Sequence, residues 1–212
     1  MKPFFLSVIL ISALNSFGQL LQDVNGRPYL STVYEEYEGS PLLFNDWVTA
    51  RVITSNGNMY DSMLIDIDLY GGAVLFRKGA ETYEFTEDVS EILIVRGQEQ
   101  ITLKNGAHIS KMLPAGFYQI ISAEPLFLKH VNKQKVDMPA YSATGKKYKF
   151  VTGKIFYGLI AGALKKLSLN KTNAESFFTD KWKPLDDYAQ KNGLSFKTEE
   201  GWLQLLRYYH AM

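Results

Sequence analysis

From Trp47 to about Val136 apolar and polar positions alternate in short runs with turn residues between them, the period expected of half-buried β-strands. Val48, Ala50, Val52 and Thr54 would line one face. Ser55-Asn56-Gly57-Asn58 follows, and Asn-Gly tolerates the positive φ that a tight hairpin turn requires, so 59–66 is expected to return as the partner strand. Gly71-Gly72 and Lys78-Gly79 bracket a strand over 73–77, and 82–86 and 91–95 supply two more. A pair over 100–104 and 107–112 is expected around Asn105-Gly106, followed by 117–122 and 126–136. This spacing predicts a mainly β fold, an antiparallel meander forming a sandwich or barrel-like roll.

From about residue 172 the period lengthens to that of helices, and three short ones are expected. Thr172 and Glu175 have the spacing of a capping box. Pro184 suits a first helical turn, Leu185, Tyr188 and Ala189 share a face, and Asn192-Gly193 supplies a stop. Trp202, Leu205, Leu206 and Tyr209 repeat the apolar stripe. Helices this short must dock to be stable, so residues 19–171 are expected to form a β-rich domain and 172–212 a helical segment packed on it.

The first residues have a different pattern. Lys2, an apolar run over 4–14, and the small residues Ser16 and Gly18 together predict a signal peptide over 1–18, with the mature chain starting at Gln19. The run is shorter than the roughly 20 apolar residues that cross a bilayer, and the next apolar run, 155–164, is shorter still and contains Gly158 and Gly162. No transmembrane segment is expected after cleavage. The sequence has no cysteine, which excludes a cysteine-linked lipid anchor, disulfides and thiolate chemistry. The expected location is the periplasm or cell exterior.

Without Lys2 the chain carries 22 acidic and as many basic side chains, so its net charge selects no partner. The distribution is uneven: residues 19–100 hold 14 acids and 5 bases, residues 101–212 hold 8 acids and 17 bases. Either the halves neutralise each other or a basic surface meets an anionic partner. Between Lys129 and Lys171 there are ten lysines and one acid, Asp137, interleaved with aromatic residues. As a strand, 147–151 would place Lys147 and Lys149 on one side and Tyr148 and Phe150 on the other. Lys146, Lys147, Lys149 and Lys154 are the candidate binding residues for an anionic envelope lipid or glycan; another envelope protein is the alternative partner. The segment lacks the arginines that recognise phosphate in bidentate fashion, and nucleic acid is not an expected partner.

Several segments resemble a known family. Gly39-Ser40-Pro41, Leu43, Asn45-Asp46-Trp47, Met59-Tyr60-Asp61, the run from Lys191 to Lys197 and Tyr208-Tyr209 are together similar to a family of uncharacterised exported proteins typical of Bacteroidota. The resemblance implies export and a mature start at Gln19, and it carries no activity, ligand or site residue.

Motifs for catalysis and metal binding fail on inspection. Asp66 and Asp68 open a calcium-loop pattern, but Tyr70 and Arg77 occupy positions that need oxygen ligands. His108, His130 and His210 lack a second ligand at helical or strand spacing. No serine lies in a nucleophile elbow, and no phosphate-binding glycine loop occurs. Glu35, Glu36 and Glu38 with Tyr34 and Tyr37 hint at a glycosidase pair or sugar platform, but acids so close in sequence read better as a solvated edge. No cofactor, metal site or catalytic residue is assigned. The expected function is a non-enzymatic binding or structural module, and the alternative is a hydrolase whose site is scattered along the chain.

Overall fold

The computed structural model describes residues 24–44, 46–97, 99–139 and 145–212; the expected signal segment lies outside the described residues. The fold is mainly β, with an antiparallel-rich open sheet and three short C-terminal helices. Its strands are β1 (Gly26–Pro28), β2 (Tyr37–Glu38), β3 (Val48–Thr54), β4 (Met59–Asp68), β5 (Ala73–Lys78) and β6 (Glu81–Phe85). They continue with β7 (Val89–Arg96), β8 (Glu99–Asn105), β9 (Phe117–Ser122), β10 (Phe127–Asp137), β11 (Tyr148–Ile160) and β12 (Ala163–Leu167). The helices are α1 (Lys171–Phe177), α2 (Trp182–Lys191) and α3 (Glu199–Ala211).

Two meanders stand back to back in a single sheet of order β1-β6-β5-β4-β3-β7-β8-β9-β10-β11-β12. The chain steps outward from β3 to β6, returns so that β7 pairs with β3, then steps outward the other way to β12. β2 joins separately, parallel to β11. Alternation places Val48, Ala50, Val52 and Thr54 of β3 in the interior, as the sequence predicts. In β4 an extra residue, with Ser62 left-handed at φ 56°, shifts the register against β3. That bulge changes the side-chain parity, so Tyr60 before it and Ile65 and Ile67 after it reach one core.

The sheet has two cores. One gathers β3 to β8 around Val52, Ile65, Ile92 and Phe76; the other gathers Phe127, Phe156 and Leu167 under α1 to α3. Cross-strand register shows that they share one face. Val52 pairs with Ile92, Ile92 with Leu103, Leu103 with Gln119, Gln119 with Lys129, Lys129 with Phe156, and Phe156 with Leu167. Directly opposed residues project from the same side of a sheet. The two polar members of this row, Gln119 and Lys129, therefore mark a seam between the cores.

The helices dock as their stripes predict. Trp202 is fully buried, its ring stacks on Phe127 at 5.2 Å, and its indole N–H donates to the Phe196 carbonyl at 2.8 Å. Gly158 on β11 lies under Leu167 and Phe177, and any side chain there would collide with them, so the glycine allows the close approach of sheet and helix. Two local expectations are corrected. Residues 107–112 form no strand, because the Asn105 side chain caps a short 3-10 turn at Gly106–His108 and the Ile109 and Ser110 amides turn back to the Gly106 carbonyl. The cap of α1 is Asn170, which accepts from the Asn173 amide, instead of Thr172. The apolar run 155–164 belongs to a hairpin, β11 turning into β12 at Ala161 and Gly162, both with positive φ.

Candidate functional site

Lys146 Nζ donates to the Glu35 carbonyl at 2.6 Å, Lys147 pairs with the Glu36 carboxylate, and Lys149 stands 4.0 Å from that of Glu38. These contacts follow from the parallel pairing of β2 with the start of β11. The hydrogen bond and charge of Glu36 hold the Lys147 ammonium above its ordinary value. Lys154 is elsewhere: its register partner is Val131, and its odd spacing from Lys149 puts it on the opposite face of β11. There it meets Glu199 at 3.1 Å. The structure brings three of the four candidates to one edge, each beside an acceptor from 35–38, and separates the fourth.

Glu199 opens α3, whose cap is the Thr198 hydroxyl accepting from the Gly201 amide. Its carboxylate joins Lys129 at 2.7 Å as well as Lys154. Burial opposes ionisation of Glu199, but the hydrogen bonds and charges of Lys129 and then Lys154 together outweigh it and hold its carboxyl below the usual glutamate value. The helical layer is thereby fastened to the polar seam of the sheet.

A second constellation lies at the β2 edge. Tyr34, Tyr37, Tyr70 and Phe150 form a ring cluster, with Tyr37 stacked on Phe150 at 4.6 Å, and Tyr148 joins it through Tyr37 at 5.0 Å. Lys135 Nζ sits 3.7 Å from the Tyr148 ring. Beside the cluster, the fully buried Asp68 carboxylate accepts from the hydroxyls of Tyr29 and Tyr34 at 3.0 and 2.7 Å and from the amides of Tyr70 and Gly71 at 3.0 and 2.7 Å. Burial, together with the neighbouring Asp68, raises the pKa of both tyrosines. Tyr34 and Tyr37, and Tyr148 with Phe150, carry local signals in the sequence; their meeting with Tyr70 carries none, since only the curl of the sheet brings the β4–β5 turn and β11 to the same spot.

Three concavities bear on chemistry. The cleft between 27–34 and the sheet, about 640 Å³, contains Glu84, Glu87 and Asp88. Glu84 pairs with Arg27 at 2.5 Å, and Glu87 accepts from the Tyr60 hydroxyl at 2.5 Å and the Asn58 amide at 2.8 Å. The Tyr60 hydrogen bond leads in holding the Glu87 carboxyl below its ordinary value. A wider groove of about 850 Å³ runs between the β9–β10 turn and the end of α3. In it Ser122 Oγ and His210 Nε2 are 3.2 Å apart, the spacing of a nucleophile and its base. Among the described residues no carboxylate is hydrogen-bonded to His210 to orient its ring.

The third concavity lies over the seam. It holds about 180 Å³, with Ile101, Leu103, Phe117, Gln119, Lys129 and Val131 as its floor. Leu43, Phe44 and Leu69 form its roof.

The other histidines are structural. His130 stacks on Tyr118 at 4.5 Å and its Nδ1 lies 3.0 Å from the Phe117 carbonyl, while His108 Nε2 is 3.2 Å from Asp88. Among the described residues no group of three or more acids and histidines is placed to hold a metal ion, and no helix is long and apolar enough to cross a membrane. Comparison with family models, curated proteins and solved structures gives no match.

Proposed function

We propose that this protein is an exported envelope protein acting as a non-enzymatic binding or structural module, related to the exported Bacteroidota family that its turns and C-terminal motifs resemble. The observation that carries the reading is the use of acidic side chains as fasteners, two of them, Asp68 and Glu87, in the lining of the cleft beside 27–34. Asp68 ties the 29–34 segment to the β4–β5 turn, Glu87 ties two turns to Tyr60, and Glu199 ties α3 to the sheet. A catalytic carboxylate must instead be left available to substrate. Export rests on the pattern of residues 1–18. Expression of the full chain in a bacterial host, followed by fractionation and intact-mass measurement, should give an envelope or secreted form beginning at Gln19. A full-length cytoplasmic product would overturn the export reading.

The Ser122–His210 contact supports the alternative, a hydrolase. A fluorophosphonate probe separates the two: absence of labelling at Ser122 is expected, because among the described residues no carboxylate orients His210. Labelling that is lost in His210→Ala would replace the module with an enzyme.

A further inference from the structure

The cavity over the seam is chemically unlike the two larger clefts. Among the described residues, seven of the nine that line it are apolar, and Lys129 is the charged one. Most of them are half-buried, with Leu103 alone fully buried, so the cavity opens to solvent. It lies at the margin of the first core, to which Leu103 belongs and against which Leu43, Phe44, Leu69, Ile101 and Phe117 pack, on the side that faces the helix-covered core. The helices end their cover at Phe156 and Phe127, and the first core ends at Leu103. The row between them, Gln119 and Lys129, forms part of the floor.

The charge around this floor is one-sided. Lys129 lines the cavity, Lys154 is the cross-strand partner of the lining residue Val131, and Lys133 stands two residues from Val131 on the same face of β10. Glu199 is the carboxylate that meets Lys129 and Lys154, and Lys133 donates to the Thr152 hydroxyl at 2.9 Å. Lys129 is thus the lysine of the lining, Lys133 and Lys154 share its sheet face, Glu199 is the carboxylate paired there, and each ammonium has three donors. Glu199 leaves donors of Lys129 for a second oxygen. An apolar space of about 180 Å³ with the Lys129 ammonium in its lining matches a compact apolar body with a single anionic end. Apolar cavities of roughly 150 Å³ accept benzene, so the body is of about six to eight carbons.

We infer that the seam cavity is a binding site for a small amphiphilic monocarboxylate, with its chain among Leu43, Phe44, Leu69, Leu103 and Val131 and its carboxylate on Lys129. The site uses the inward face of β10 and is separate from Lys146, Lys147 and Lys149 at the β2 edge, and it stands whether or not the chain is exported.

Octanoate, octan-1-ol and octylamine, titrated below their aggregation concentrations, test this on the intact protein by the methyl NMR signals of Ile101, Leu103 and Val131. Octanoate should shift these signals saturably, octanol should bind about ten-fold more weakly because it lacks the ionic hydrogen bond, and octylamine should not bind. Lys129→Met should bring octanoate down to the octanol affinity while leaving octanol unchanged. Val131→Trp should abolish binding of both, and Leu43→Trp closes the same space from the roof should the first variant fail to fold. Unmoved methyl signals with octanoate, equal affinity for octanol, or octanoate preference retained in Lys129→Met would each overturn the assignment.

Discussion

The two halves of the sheet bury the same face by different means. The first half, β3 to β8, covers itself: the sheet curls, segment 41–44 folds in, and Leu43, Phe44 and Leu69 pack onto the core that the strands enclose. The second half, β9 to β12, needs a separate layer and obtains it from α1 to α3, with Trp202 and Phe177 against Phe127 and Phe178 against Trp202. A self-covering sheet depends on fastening its incoming segment, and a helix-covered sheet depends on a few large rings. The difference predicts where each half is vulnerable.

The largest effect is expected in the helical layer. Trp202→Ala removes the ring shared by Phe127, Phe177 and Phe178, and loss of a buried aromatic of this size costs about 3 to 5 kcal/mol. Because β8, β9 and β10 run continuously from one core to the next, urea unfolding should remain a single transition by both far-UV and near-UV signals. A variant in which the Ile92 and Ile94 amides stay protected after the helices have melted would show that the halves are independent units.

In the first half the weak point is Asp68. Asp68→Ala leaves two tyrosine hydroxyls and two turn amides without their acceptor, and should cost roughly 1 to 3 kcal/mol. Hydrogen exchange should quicken at Tyr70 and Gly71 before it does at Trp202. Equal protection at Tyr70 and Gly71 in variant and wild type would mean that the curl is held without this carboxylate.

The smallest effect is one of pH. Burial raises the Asp66 carboxyl from 3.8 to about 6, against the opposing hydrogen bonds from the Phe44 and Ile67 amides. A folded pKa above the unfolded one gives stability that is complete below the unfolded value and is lost as pH rises through about 6. Wild type should therefore gain stability through this group on going from about pH 7 to about pH 5, and Asp66→Asn should lose that gain, since an amide does not titrate there. Denaturant midpoints at the two pH values decide it; identical pH slopes would remove Asp66 as the cause.

The contrast between halves also explains what could be read from the sequence. Alternation and Asn-Gly or Gly-Gly turns are local, so β3 to β7 and the helical stripes of α2 and α3 are legible residue by residue. The same applies to Lys147 and Lys149 lying opposite Tyr148 and Phe150 across β11. Residues 107–112 misled because Asn105-Gly106 has the look of a hairpin, while the Asn105 side chain caps a turn. The pairing of Glu36 and Glu38 with Lys147 and Lys149, the Tyr70–Phe150 contact and the seam cavity depend on curl and on which strand becomes the neighbour of which. No local pattern encodes them.

The short strand β2 has a kinetic consequence. Lys147 and Glu36 are separated by 111 residues, whereas most partners in the sheet are joined by tight turns. Closing so long a loop before its contacts exist carries an entropic cost, so the hairpins should form early and the β2–β11 junction late. Pulse-labelled hydrogen exchange during refolding should show the Tyr148 amide, which donates to the Glu36 carbonyl, protected after the amides of β3 and β4; protection in the reverse order would refute it. Until that junction closes, the acidic and basic stretches of the chain remain apart, and a nascent molecule presents both charges to its surroundings.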